Sequence, residues 1–145
     1  MPVTVEEISM MAADQVDQLF RGGEVGQIPE GVADGTAIFW PGSPFEPWIQ
    51  KVVRGVAWQG KVVSAPRREL KNRILPLGVR AIAADVYADR SWFDGNECIV
   101  LDYSKRSVVA RWVRDEIRRV GPGLYLGLVY LKRRRLIYFT LQFTV

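Results

Sequence analysis

At 145 residues, with 48% hydrophobic and 25% charged side chains, the chain can bury about two thirds of its unfolded surface in one domain and is too apolar for a disordered segment. A net charge of +4 tolerates anionic partners, yet acidic residues stand among the basic ones throughout, where a nucleic-acid binder concentrates its cations on one element; nucleic acid is therefore the weaker reading. There is no histidine and one cysteine, Cys98, which removes intramolecular disulfides, Ser-His and Cys-His pairs, and zinc sites built on histidine or on cysteine alone.

Thr4-x-x-Glu7 is a capping box, and behind it Val5, Ile8, Ala12, Val16 and Leu19 recur at three- and four-residue spacing. This predicts one amphipathic helix over residues 1–22, stopped at Gly22-Gly23. Its polar side carries Glu and Asp, which argues for packing on the domain rather than lying on a membrane. The N-terminal stretch lacks the basic-then-apolar order of a secretory signal, and no apolar run is long enough to span a bilayer, so the expected location is cytoplasmic.

Glycine-rich residues 22–35 read as a loop, and "TAIFW" as a first strand ended by Pro41-Gly42. Ser43-Pro44-x-Glu46 then opens a short helix near 43–53, with Phe45, Trp48, Ile49, Val52 and Val53 as its apolar face. From Gly55 the period shifts towards two. "VAWQGKVV" and "AIAADVYA" are strands joined by a polar connection that includes Arg73 and Pro76. Asp94-Gly95 marks a turn between "SWF" and "ECIVLDY"; "VVARWV", "DEIRRV", "LYLGLVYL" and "LIYFTLQF" follow, with Pro122-Gly123 and the basic run Lys132 to Arg135 as turns. Cys98, inside an apolar run, reads as a buried structural thiol.

The pattern predicts an α+β chain, mainly β, forming a single domain over 1–145. An N-terminal helix or helices precede a small antiparallel β-barrel over 35–145, since closure removes the exposed edges of so many apolar strands. No strand–helix–strand alternation follows residue 55, which argues against a Rossmann-type fold.

The segment "DEIRRVGPGLYLG" runs charge into apolar strand. Alternation sends Asp115, Ile117 and Arg119 one way, and Glu116, Arg118 and Val120 the other, so each face mixes charge with an aliphatic residue. Two readings compete: a surface ladder of ion pairs, and a carboxylate–arginine pair inside the barrel beside a ligand's polar head. Trp58, Lys61, Asn72, Asp102, Tyr103 and Tyr125 could join the second, although each aromatic serves equally as core. Gly127 marks a bulge or a close backbone approach.

"WQGK" at Trp58 to Lys61, then Asn72, "LDY" at Leu101 to Tyr103, "DEIR" at Asp115 to Arg118 and "GLYLG" at Gly123 to Gly127 together resemble the bacterial GXWXG-type lipocalin-like domains, over about residues 35–143. The chain departs from that family in lacking GXWXG itself, where it has "GTAIFWPG", and in carrying Gln59 where an aromatic is usual. The resemblance implies a lipocalin-like barrel that holds a small apolar molecule, with no established reaction.

Three functions follow. The leading one is a binding protein for a fatty-acid-like or isoprenoid-like ligand with one acidic or polar end, Arg118, Lys61 and Asn72 meeting that end, Trp58, Tyr103 and Tyr125 along the wall, and Asp115 a further ligand-binding residue. The second is an isomerase, cyclase or hydrolase in the same cavity, using Asp102, Asp115 or Glu116 with Tyr103 or Tyr125 for proton transfer. The third is an interaction module, a homodimer through a sheet face or a nucleic-acid binder. Neither a metal nor a cofactor is implied.

Overall fold

Thr4 opens the first helix as expected: its hydroxyl oxygen accepts from the Glu7 backbone N–H at 3.2 Å. The Thr4 hydroxyl in return donates to the Glu7 carboxylate at 3.2 Å, where a full capping box would have Glu7 accept from the Thr4 backbone N–H. The predicted single helix is in fact two, α1 (Val5–Ser9) and α2 (Ala13–Arg21). On one unbroken helix Ile8 and Phe20 would point roughly 120° apart. The break lets both bury fully, and it leaves Ala12, expected on the stripe, exposed. Gln15 caps the second helix by accepting the Ala12 N–H at 2.9 Å.

The structure, a computed structural model, describes residues 3–38, 58–64, 69–74, 79–106 and 111–143, with 58–64, 69–74 and 79–83 described by their strand pairing. The helix expected near 43–53 lies outside the described residues. Eight strands follow the helices: β1 (Gly31–Ile38), β2 (Trp58–Ser64), β3 (Glu69–Ile74), β4 (Val79–Arg90), β5 (Glu97–Asp102), β6 (Val113–Gly121), β7 (Leu124–Leu131) and β8 (Arg134–Phe143). Every sequential pair is antiparallel, and β1 also pairs with β8, so the order closes into a barrel.

Three boundaries differ from the sequence reading. β1 starts at Gly31, within the expected loop. The connection read as polar holds β3, whose Leu70, Asn72 and Ile74 alternate with Glu69, Lys71 and Arg73. Of "VVARWV", 108–110 lie outside the described residues, Arg111 and Trp112 form a turn, and Val113 opens β6.

Alternation divides the buried residues into two clusters. Inside the barrel, Ile99, Leu101, Ile117, Phe139 and Leu141 pack with Tyr103 and Tyr125. Outside it, Leu124, Leu126, Leu128 and Tyr130 of β7 and Tyr138 of β8 pack against Ile8, Val16 and Phe20 of the helices. β7 is therefore buried on both faces, which explains its near-continuous apolar run. The α2 end is seated by Glu24 and Arg119, whose backbones exchange hydrogen bonds of 2.9 and 2.7 Å. Gly23 permits that seat: a Cβ there would stand 2.9 Å from the Arg118 Cβ.

The β7–β8 hairpin turns on Lys132 and Arg133, at φ of 50° and 69°. Both values are left-handed, a conformation that two long side chains adopt only at a cost. Replacing the pair by Asn-Gly should stabilise the protein by about 1–2 kcal/mol, because those residues suit a two-residue hairpin turn. Urea unfolding measures this, and an unchanged midpoint would show the turn to be unstrained.

Candidate functional site

Cross-strand register sets Asp115 opposite Leu101, and Tyr103 lies two residues beyond Leu101. Both side chains enter the barrel interior. Tyr103 donates from its hydroxyl to Asp115 Oδ2 at 2.9 Å, and the two residues are only 2% and 3% exposed. A carboxylate among aliphatic and aromatic side chains is costly unless hydrogen-bonded, so this polar pair is the chemically distinctive feature of the described interior.

Tyr125 also lines the interior. Its ring meets Phe143 edge-on at 5.6 Å, its hydroxyl donates to the Gln27 carbonyl at 3.3 Å, and burial raises the phenol above its ordinary value. Lys61 stands opposite Ala33 on β1 and Asn72 on β3, while Trp58, at the start of β2, stands opposite Ile74. The side chains of these three lie outside the described residues.

The alternation predicted for "DEIRR" holds, but its consequence differs from both readings. Residues 115–118 are all buried, because the outer face of β6 is covered by α2 and by the loop that joins β4 to β5. Arg118 does not enter the barrel. Its guanidinium lies on the outer face and spends all five N–H groups on the protein. Two go to the Asp94 carboxylate at 2.6 and 2.7 Å, and one each to the carbonyls of Phe20, Asn96 and Glu97 at 3.1, 3.1 and 3.2 Å. A ligand would have to displace one of these partners, so Arg118 serves as a brace.

Glu116 is the second brace. Its carboxylate accepts from the Ser91 hydroxyl at 2.5 Å, the Trp92 N–H at 2.7 Å and Arg114 Nε at 3.1 Å. Together Glu116 and Arg118 hold residues 91–96 down over the outer cluster. The expected carboxylate–arginine pairs thus exist outside the barrel wall, as Glu116 with Arg114 and Asp94 with Arg118. Sequence reading missed Ser91 and Asp94 because "SWFDG" shows only turn chemistry; the partners that give them a role lie on another strand.

Asp102 faces outward as well. Burial pushes its carboxyl up, but hydrogen bonds from the Ser104 side chain and backbone and from the Tyr87 hydroxyl (2.7 Å) outweigh this and hold it below its ordinary range. Burial and the same bond push Tyr87 up to about 12. Asp102 thus lies on the outer face of the wall, and with Glu116 also outside, Asp115 alone of the three candidate acids faces the interior. Cys98 is buried, as expected, and burial chiefly pushes its thiol up to about 12, far from a reactive thiolate.

The Asp94 carboxyl is held below its ordinary range, first by the hydrogen bonds from Arg118 and despite partial burial. A depressed folded value means the contribution to stability is complete above the unfolded carboxylate range. It is lost as pH falls through the folded value. Urea midpoints of the wild type should therefore drop below about pH 4 more steeply than those of Asp94→Asn. Parallel curves would remove Asp94 from the acid response.

Among the described residues, no group of three or more His, Cys, Asp or Glu stands close enough to hold a metal ion, and no helix is long and apolar enough to cross a membrane. No protein-family model and no curated protein matches the chain. The chain is similar to the crystal structure of a protein from Thermomonospora curvata, with a TM-score of 0.68 and 16% identity over 93% of this chain and 89% of that one. At that identity the likeness establishes a shared mainly antiparallel β fold and carries no function.

Proposed function

We propose that the protein binds a small, mostly apolar molecule inside a lipocalin-like barrel, and that Asp115 and Tyr103 meet its polar end. The observation that supports this reading is the Tyr103–Asp115 hydrogen bond inside an otherwise apolar cluster. Convergent polar groups in an apolar chamber fix a ligand's orientation at small cost in affinity. With Arg118 on the outer face, the acid-ended ligand expected from the sequence loses its main anchor. A carboxylate beside a phenol suits a ligand end that donates, a hydroxyl or an amine.

Native mass spectrometry tests this with an alkyl amine, alcohol and carboxylic acid of equal chain length. The amine and alcohol should be retained. Asp115→Asn should weaken the amine about tenfold more than the alcohol, in line with loss of one charge-assisted hydrogen bond. No uptake of any of the three, or equal losses for amine and alcohol, would overturn the assignment. The same pair supports a second reading, an isomerase, cyclase or hydrolase in which Asp115 takes a proton and Tyr103 gives one. Turnover whose basic limb disappears in Asp115→Asn would favour it.

A further inference from the structure

Two of the large apolar side chains that reach solvent are tryptophans on one flank of the barrel: Trp92, 39% exposed, and Trp112, 52% exposed. Cations surround both. Arg114 and Arg133 lie over the Trp92 ring at 4.3 and 4.5 Å, and Arg111 and Lys132 over the Trp112 ring at 4.1 and 4.6 Å. The hairpin tip joins the two groups, since Lys132 and Arg133 are adjacent and the Lys132 N–H donates to the Trp112 carbonyl at 3.1 Å. Arg114 is committed to Glu116, but Arg111, Lys132 and Arg133 make no ion pair among the described residues. The turn that displays two of these cations is the one held at positive φ. Strained backbone of that kind persists where its surroundings impose it, and it gathers at functional positions.

We propose that this flank docks the protein on an anionic lipid bilayer. Indole is amphipathic and settles at the headgroup level, and neighbouring Lys and Arg meet the lipid phosphates. The geometry favours a membrane over single-stranded nucleic acid. Base stacking needs open ring faces, and here each indole already carries two cations against its ring. A protruding hairpin tip also meets a flat surface more readily than it encloses a strand.

The test is sedimentation of the full chain with vesicles of phosphatidylcholine, alone or mixed with phosphatidylserine. The protein should partition onto the mixed vesicles only, less as salt rises, with a blue shift of tryptophan emission that Trp112→Phe diminishes. Lys132→Asn with Arg133→Gly, chosen because it should fold at least as well as the wild type, should weaken partitioning about fivefold per cation removed. Equal partition onto neutral vesicles, full retention by the double variant, or an oligonucleotide that binds more tightly at the same salt and strips the protein from vesicles would each overturn the proposal.

Discussion

Arg118→Met should destabilise the protein by about 3–5 kcal/mol, a large part of the 5–15 kcal/mol typical of a domain. The change removes five donors from a site where Arg118 and Asp94 side chains are 2% and 4% exposed, and it strands the Asp94 carboxylate together with three backbone carbonyls. Lysine should not rescue, because an ammonium cannot grip both carboxylate oxygens and still reach carbonyls on α2 and the β4–β5 loop. Arg118→Met with Asp94→Leu should lose less than Arg118→Met alone, because no uncompensated charge then remains buried. Urea midpoints of the four proteins decide it. A cost below about 1 kcal/mol for Arg118→Met, with ligand affinity lost instead, would return Arg118 to the binding site.

Gly127→Ala comes next in size. Gly127 is the register partner of Phe139, whose ring lies across it; an added Cβ would fall 2.2, 2.3 and 2.6 Å from three ring carbons. Phe139 is 2% exposed and packed in the interior cluster, so its ring can yield only by displacing its neighbours. The expected cost is about 3 kcal/mol, at the upper end for overpacking. Leucine at position 139 makes room for the methyl, so Gly127→Ala with Phe139→Leu should be more stable than Gly127→Ala alone. Thermal unfolding of the single and double variants measures the coupling, and a neutral Gly127→Ala would mean the ring moves freely.

The mainly antiparallel β character was readable because it rests on local chemistry: the period-two runs after Gly55, the Asp94-Gly95 and Pro122-Gly123 turns, and the Thr4 cap. The alternation of "DEIRR" was readable for the same reason. What covers β6 was not. Arg118 finds Phe20 at 98 positions' separation and Asp94 at 24, and no spacing rule connects them. Both faces of a strand can bury charge when one faces a barrel interior and the other lies under a helix and a loop, so a mixed face indicated neither solvent nor ligand. β3 escaped notice because Glu69, Lys71 and Arg73 occupy every second position beside prolines. Met10 to Ala12 gave no glycine or proline to signal the helix break; only the geometry of burying both Ile8 and Phe20 requires it.

The seam between β1 and β8 carries a kinetic consequence. β1 and β2 meet across residues 39–57 and the later sequential pairs across shorter connections, whereas the seam joins Ala33 to Phe143 and Ile38 to Tyr138. Bringing such distant segments together must precede the contacts that reward it, and chains dominated by such contacts fold in milliseconds to seconds rather than microseconds. Until the seam zips, β1 and β8 both present unpaired backbone edges, and β8 is rich in aliphatic and aromatic residues. Aggregation during refolding should therefore rise with protein concentration while that edge is open, and if closing the seam limits the rate, substitutions on β1 should slow folding by nearly their whole effect on equilibrium stability, a comparison stopped-flow refolding makes.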